Sequence, residues 1–346
     1  IMNIAEGMAV ELFDELLGIK FDKFPRMTYA EAMRRFASDK PDLRIPLELI
    51  DVADVLKDAG FKVFAGPAND PKGRVIALRV PKGNEISRGK IDEYTKFVGI
   101  YGARGLAYIK VNDTSKINNG VDGKESGLQS PIIKNMSDEV LQTIIARTGA
   151  ENGDLIFFGA DKREVVNKVL GAVRVALRNR YNLVDESTLS FAWITDFPMF
   201  EKDDKTGKLD FAHNPFSSIN ATLEDLRNMN PEEVYGFQYD LTLNGYEILS
   251  GSIRNHDLEL LTEAFRMVGR SEEEVKNKFG GMYEAFQYGV PPHGGFAFGI
   301  DRFMMILLNE DNIRDMYAFP KSGKAQDAMM NAPSEVDEDS LKELHI

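Results

Sequence analysis

The sequence predicts an α+β fold, in which antiparallel strands and helices are mixed without a repeated strand–helix–strand unit. Two β-rich runs are joined by Asn244-Gly245, the strongest short-range signal for a hairpin. Residues 46–150 combine strand-like alternation with helical patterns in irregular order. The length of 346 residues favours more than one domain, and we expect three segments along the chain, at 1–45, 46–150 and 151–346.

The composition excludes several classes of protein. The chain has no cysteine, so neither disulfides nor thiolate metal sites are available to it. No apolar run approaches the roughly 20 residues that cross a bilayer, and the first residues do not resemble a signal peptide, so we expect a cytoplasmic protein without a membrane segment. The net charge of −13 gives no general attraction for nucleic acid, and RNA binding would need local basic patches.

The chain begins with a helical pattern. Apolar residues at helical spacing predict a helix at 4–17 that ends at Gly18. The spacing is already present at Ile1 without a start signal before it. We therefore expect this chain to be part of a longer protein.

A second helix is predicted at 29–36. Thr28 precedes it as the cap, and Glu31 completes the pattern of a capping box. Residues 38–44 then form a turn-rich connector, interpreted as a surface turn with local ion pairs.

Residues 46–200 are predicted to contain both helices and strands. The patterns place helices at 51–60, 91–99, 137–146 and 162–180. They place strands at 61–65, 74–80, 106–111, 153–158 and 191–198, and loops at 65–73 and 112–130, the second of them mobile. Trp193 is the only tryptophan, and we expect it to pack in the core.

Six basic residues in this region have two interpretations. They form either a surface that faces RNA or, more commonly, an ordinary solvated face. The residues are Lys72, Arg74, Arg79, Lys82, Arg88 and Lys90.

The predicted hairpin brings two carboxylates together. In a regular ladder Asp240 lies opposite Leu249 and Glu247 lies opposite Thr242, so both acids point to one face as diagonal neighbours. They repel each other unless a cation lies between them, and Mg²⁺ with phosphate ligands fits such a position. The alternative is a pair of solvated acids on an exposed sheet face.

Arg254 follows Glu247 by seven residues, and strict alternation directs it to the opposite face. A β-bulge at Gly251-Ser252 would return it to the face of Glu247. We therefore predict a bulge at that dipeptide.

Residues 291–308 read as a strand followed by a helix. Small residues leave one strand face nearly bare: Gly295, Ala297 and Gly299. The other is predicted to be a core face: Phe296, Phe298 and Ile300. A bare face suits the planar ring of a nucleotide, and Arg302 at the strand–helix junction suits a phosphate. The alternative is a buried glycine-rich strand whose Arg302 pairs with a carboxylate.

Several motifs, in order, resemble those of one family. The string GGFAFGIDR resembles the third signature motif of class II aminoacyl-tRNA synthetases. The strings SDKPDLR, HNPFS, YDLTLNGYEILSGSIR, PPHGG and DNIRDMYAFPK resemble the bacterial type of aspartyl-tRNA synthetase. Residues 46–150 resemble the GAD domain, an α+β insertion in those enzymes. The resemblance covers essentially the whole chain.

The resemblance implies a class II antiparallel catalytic sheet that binds ATP, Mg²⁺ and L-aspartate. Such an enzyme forms aspartyl-adenylate and transfers the aspartyl group to tRNA(Asp), and the full-length family member is a homodimer. Arg302 is implied to grip the γ-phosphate of ATP, and with Glu247 it is implied to serve catalysis. Gly299, Ile300 and Asp301 are implied to lie against the nucleotide.

The same resemblance implies the remaining ligand contacts. Asp240 and Glu247 would hold Mg²⁺, with Glu247 also at the ATP. Arg254 would pair with the side-chain carboxylate of aspartate, and His213 would contact the same substrate. A lone histidine before proline is otherwise usually structural. Relatives have two histidines there, and this chain has Asn214, so only His213 is assigned.

The sequence also departs from the family pattern. The anticodon-binding β-barrel and the first two class II motifs are absent from these residues, so we expect a fragment that does not aminoacylate tRNA alone. Two alternatives remain. One is a GAD-bearing tRNA-binding accessory protein without catalysis, and the other is an asparagine synthetase-like enzyme that activates aspartate.

Overall fold

The computed structural model describes residues 1–117, 127–203 and 206–346, which form two units, 1–296 and 297–346. The helices are α1 (Met2–Leu17), α2 (Tyr29–Phe36), α3 (Ala53–Leu56), α4 (Lys62–Asn69), α5 (Arg88–Gly99), α6 (Asp138–Thr148), α7 (Arg163–Tyr181), α8 (Leu223–Asn228), α9 (Leu258–Met267), α10 (Glu272–Gln287), α11 (Ile300–Leu307) and α12 (Glu338–Glu343). The strands are β1 (Arg26–Thr28), β2 (Leu49–Asp51), β3 (Gly73–Val80), β4 (Ala107–Val111), β5 (Leu128–Gln129), β6 (Leu155–Lys162), β7 (Phe191–Pro198), β8 (Phe200–Lys202), β9 (Leu209–Phe211), β10 (Tyr235–Leu243), β11 (Tyr246–Ile253) and β12 (Gly294–Phe298). The predicted α+β class is confirmed.

The first sheet has the order β1-β7-β10-β11, joined at its edge by the start of β12. β10 pairs antiparallel with both β7 and β11, and β1 pairs parallel with β7. Trp193 in β7 is fully buried, as predicted. Its Nε1 donates a hydrogen bond to Glu6 Oε2 at 2.9 Å, which ties α1 to this sheet.

The second sheet has the order β2-β3-β6-β4-β5, with antiparallel neighbours throughout. Its central strands bury alternate residues on both faces, so the sheet lies between two helical layers. Helices α5 and α7 contribute to one core, and α4 and α6 contribute to the other. The central strand β6 follows residue 150, so this sheet extends beyond the expected 46–150 segment.

The segment predicted as a strand at 61–65 and a loop at 65–73 is wrong, because α4 occupies most of it. Phe64 and Ala68, four residues apart, are both buried on the same side of the helix. This packing outweighs the β-rich composition and the internal Pro67, which on its own disfavours a helix. A short-range pattern cannot register such a tertiary contact.

Two other predictions need correction. Thr28 accepts from the backbone N–H of Glu31 as predicted, but the Glu31 carboxylate pairs with Arg35 at 2.9 Å instead of completing the box. The loop predicted at 112–130 contains strand β5, which pairs with β4. Residues 118–126 of that predicted mobile loop lie outside the described residues.

The predicted basic surface is wrong for two of its six members. Arg74 is buried and donates to the backbone oxygens of Met33 and Arg34. Arg79 donates to the carboxylate of Asp154 at 2.6 Å. Both side chains are therefore engaged within the protein.

The second unit contains α11 and α12 with irregular segments between them. Phe303 and Met305 of α11 are buried, and the rings of Phe298 and Phe303 lie 5.1 Å apart. Ile300, predicted on a core face, is 66% exposed because it opens the helix instead of continuing the strand. Across the parts of the chain that the structure covers, every helix is too short or too polar to span a bilayer.

Candidate active site

The β10–β11 hairpin turns at Asn244 and Gly245, whose φ angles of 52° and 85° fit the predicted tight turn. Glu247 lies opposite Thr242, as predicted. Asp240, however, lies opposite Ser250, so its predicted pairing with Leu249 is wrong.

The cause is a shift in register near the turn. Leu241 pairs with Leu249 while Thr242 pairs with Glu247, which leaves Ile248 as an extra residue. A bulge was predicted at Gly251-Ser252, and its position is therefore wrong. The extra residue still falls between Glu247 and Arg254, where it reverses the alternation of side chains.

The shifted register gathers polar side chains on one sheet face. Asp240 shares the face of Thr242, two residues along the same strand, and Thr242 is the partner of Glu247. Ser250 and Ser252, opposite Asp240 and Gln238, belong to the same face. The two acids thus do lie on a common face.

The pKa of Asp240 is raised to about 7, chiefly by burial and also by the charges of Glu247 and Asp39. Hydrogen bonding by Ser250 and Gln238 acts in the opposite direction. Within the described residues, Oδ1 of Asp240 is buried and has no hydrogen-bond partner. An acid in this state favours either a proton or a cation from outside the chain.

Asp39 and Tyr29 are site residues that sequence reasoning missed. Burial raises the pKa of the Tyr29 hydroxyl, and Asp39 raises it further. Asp39 is therefore electrostatically coupled both to Tyr29 and to Asp240. The SDKPDLR string contains Asp39, but nothing local distinguishes it from a residue in a surface turn.

His213 lies next to two aromatic side chains. Its ring is 5.0 Å from the Phe197 ring and 6.4 Å from the Tyr29 ring, both with near-perpendicular geometry. The next residue, Asn214, accepts a hydrogen bond from the backbone N–H of Phe216 at 2.9 Å. Asn214 therefore shapes the turn, while the exposed His213 remains accessible to a ligand.

Arg254 follows β11 and forms an antiparallel bridge with Ser217. Its charge lowers the pKa of the Tyr239 hydroxyl, against the larger rise caused by burial. In the described structure, Ser217 Oγ, Ser252 Oγ and Asn255 Nδ2 are buried without a hydrogen-bond partner. The half-buried Arg254 thus lies near several buried polar atoms that have no hydrogen-bond partner.

The predicted bare face of the glycine-rich strand is open to solvent. Its three small residues are exposed: Gly295, Ala297 and Gly299. A Cβ atom at Gly295 would meet nothing within 4 Å. By contrast, a Cβ atom at Gly251 would lie 2.3 Å from the Gly295 carbonyl oxygen. The face with the small residues is therefore accessible to a ligand, whereas the backbone of this strand packs closely against Gly251 of β11.

Within the second unit, Gly299 caps α11, and Ile300, Asp301 and Arg302 form its first turn. Arg302 is exposed. The backbone N–H groups of a first helical turn favour an anion, and the guanidinium adds a charged donor of fixed geometry.

The described residues contain no group of three or more His, Asp or Glu side chains placed to hold a metal ion. The Asp240–Glu247 pair still fits Mg²⁺, because Mg²⁺ in phosphate-binding sites commonly takes one or two carboxylates and completes its shell with phosphates and water. The unpartnered Oδ1 of Asp240 supports this assignment.

Comparison with known proteins gives the family. The model of class II tRNA synthetases (D, K and N) matches residues 1–323. An aspartyl-tRNA synthetase from Entamoeba histolytica is 24% identical, with a TM-score of 0.30, over 44% of this chain and 25% of that chain. An asparaginyl-tRNA synthetase from Pyrococcus horikoshii is 21% identical, with a TM-score of 0.29, over 39% of this chain and 27% of that one. This chain therefore spans about a quarter of the length of those structures. The match over residues 1–323 shows that the chain belongs to the class II tRNA synthetases of the D, K and N group.

Proposed function

We propose that this chain forms part of an aspartate–tRNA ligase, which activates L-aspartate with ATP and transfers the aspartyl group to tRNA(Asp). The observation that carries this proposal is the buried Asp240, unpartnered at Oδ1 and coupled to Glu247. An acid pair of this kind suits a metal ion bound to phosphates. The family supplies the class of reaction.

Asp240 and Glu247 are the residues that would hold Mg²⁺. When bound, Mg²⁺ neutralises the charge that develops on the phosphates during adenylate formation. The carboxylates are held by adjacent strands of a paired sheet, so their separation changes little when ligands bind.

The nucleotide is assigned to the start of α11 and the strand before it. Arg302 contacts the γ-phosphate, and Gly299, Ile300 and Asp301 lie against the nucleotide. The exposed small-residue face supports this assignment, since a planar ring needs a surface without protruding side chains. No side chain acts as a nucleophile, because the substrate carboxylate itself attacks the α-phosphorus.

The amino acid is assigned to Arg254 and His213. A guanidinium makes two parallel hydrogen bonds to a carboxylate, whereas a carboxamide presents one acceptor and one donor group. Arg254 therefore favours aspartate over asparagine. His213 lies in the turn that follows β9, a strand of a separate two-stranded sheet, so it would contact the substrate from a different segment than Arg254.

The wider assignments follow the same proposal. Residues 46–150 correspond to the GAD-like insertion of the bacterial type of enzyme, and the complete ligase is a cytoplasmic homodimer.

A thermal-shift measurement tests the proposal, with the protein as its gene encodes it and a non-hydrolysable aspartyl-adenylate analogue. We expect the analogue to raise Tm, and we expect Arg254→Ala and Arg302→Ala to reduce the rise. Arg314→Ala, another exposed arginine, serves as the matched control and retains it. The absence of any shift in the unmodified protein would contradict the proposal.

A further inference from the structure

Helix α7 contacts residues 37–47 at three positions along one of its faces. Gly171, Arg174 and Arg178 are spaced by three and four residues, which aligns them on the same side of the helix. A Cβ atom at Gly171 would lie 3.2 Å from the Ala37 carbonyl oxygen. Arg178 Nε lies 3.8 Å from Asp42 Oδ2. Residues 37–47, which include the connector at 38–44, are thus held along their length by α7, a helix that packs on the second sheet.

Arg174 makes the strongest of these contacts. Its Nε donates to the Leu47 carbonyl oxygen at 2.7 Å, and its Nη2 donates to the carbonyl oxygens of Asp42 at 2.7 Å and Ile45 at 3.1 Å. The residue is 2% exposed, and burial lowers its pKa to about 10, although Asp42 and Glu48 counteract this. A buried guanidinium satisfied mainly by backbone oxygens fixes the path of that backbone.

Asp42 in this segment also approaches the hairpin of the site. A Cβ atom at Gly245 would lie 3.2 Å from the Asp42 Cβ atom. Arg44 holds the Asp42 carboxylate with hydrogen bonds of 3.0 and 2.9 Å. Residues 37–47 therefore contact both α7 and the hairpin that carries the acid pair.

We propose that Arg174 is a positioning residue, which holds residues 37–47 against the β10–β11 hairpin that carries Asp240 and Glu247. The second sheet, through α7, thereby contributes to the geometry of a site built on the first sheet. The positioning rests on contacts within the chain and holds whatever ligand the site binds.

Hydrogen exchange measured by mass spectrometry tests this coupling in Arg174→Gln. We expect at least tenfold faster exchange in peptides covering 37–47 and 242–247, with β3 and β6 unchanged. Arg147→Gln is the control, because Arg147 pairs with Asp54 on the outside of the second sheet's helices and should leave both peptides unchanged. Unchanged exchange at 242–247 in Arg174→Gln overturns the proposal, even if 37–47 exchanges faster.

Two further variants guard against misfolding of Arg174→Gln. Arg174→Lys keeps the charge but replaces the planar fork, so we expect a smaller effect on the same two peptides. Gly171→Ala keeps Arg174 and pushes the added methyl group toward the Ala37 carbonyl oxygen. If neither variant changes exchange at 242–247, the coupling is absent.

A ligand measurement extends the test and rests on the proposed function. In amino-acid activation, Arg174→Gln should lower kcat more than it raises KM for ATP. The reason is that Asp240 and Glu247 would hold the Mg²⁺ that neutralises the charge on the reacting phosphates. Arg174→Lys should recover part of the loss. If the protein as its gene encodes it activates no amino acid, the proposed function fails, while hydrogen exchange still decides the positioning role.

Discussion

Burial raises the pKa of Asp240, and the charge of Glu247 adds to this rise from the facing strand of the β10–β11 hairpin. The two residues lie in different strands and face the same side only because Thr242, two residues from Asp240, pairs with Glu247. Asp39 adds a third negative charge from a separate segment. This concentration of like charge around a buried carboxyl is the electrostatic feature that distinguishes the site.

The raised pKa of Asp240 predicts a pH-dependent stability. Below about pH 4 the carboxyl is protonated in both the folded and the unfolded state. Between pH 4 and about 7 only the folded state retains the proton, so the free energy of unfolding falls as the pH rises through this window. At 1.36 kcal/mol for each pKa unit, the total loss is at most about 4 kcal/mol.

Asp240→Asn removes this titration. We expect the variant to be more stable than the unmodified protein at pH 8 and to exceed it by a smaller margin at pH 5, measured by urea unfolding with a chelator present. Curves that stay parallel from pH 5 to pH 8 would show that the carboxyl is ionised throughout that range.

Gly251 is required by close packing between strands. An added Cβ atom would lie 2.3 Å from the Gly295 carbonyl oxygen and 2.5 Å from Tyr239 Cε2. We expect Gly251→Ala to lower the free energy of unfolding by about 1–3 kcal/mol. Gly295→Ala is the matched control, because its methyl group meets nothing within 4 Å, and it should change stability by less than about 0.5 kcal/mol. Equal losses in the two variants would refute this explanation.

Arg302 is predicted to affect ligand binding and not folding. The side chain is exposed, so Arg302→Ala should leave Tm nearly unchanged. Loss of a charged hydrogen bond of about 1.5–3 kcal/mol should weaken ATP binding roughly 10- to 100-fold. Calorimetric titration with ATP and Mg²⁺ measures the change, and Arg314→Ala provides the comparison. An unchanged affinity in Arg302→Ala would remove Arg302 from the nucleotide site.

Arg254 is predicted to discriminate between amino acids. Arg254→Lys keeps the charge but loses bidentate geometry, so it should bind an aspartyl-adenylate analogue about 10- to 100-fold more weakly. Binding of the asparaginyl analogue should fall less, because a carboxamide does not use both hydrogen bonds in the same way. Competition titration of the two analogues gives the ratio. Parallel losses for both analogues would mean that Arg254 does not read the side chain.

The sequence was sufficient for elements whose signals are local. The turn at Asn244-Gly245 and the end of α1 at Gly18 each follow from a single residue's tolerance of positive φ. The Thr28 cap and the buried Trp193 were likewise predictable. The sharing of one face by Asp240 and Glu247 followed from the Thr242–Glu247 pair beside the turn and from side-chain alternation along β10.

Other features depend on contacts that no local pattern contains. The extra residue Ile248 displaces the register beyond the turn, which moves Asp240 opposite Ser250. Helix α4 forms because Phe64 and Ala68 find a core to pack in. The electrostatic effect of Asp39 on Asp240 likewise joins residues far apart in the chain.

The most direct test of the account is amino-acid-dependent ATP–pyrophosphate exchange by the protein as its gene encodes it, with aspartate, asparagine and lysine as alternative substrates. We predict exchange with aspartate at a kcat/KM at least 100-fold above that for the other two, and its loss in Asp240→Asn. Exchange that prefers asparagine or lysine, or that survives Asp240→Asn unchanged, would contradict the account.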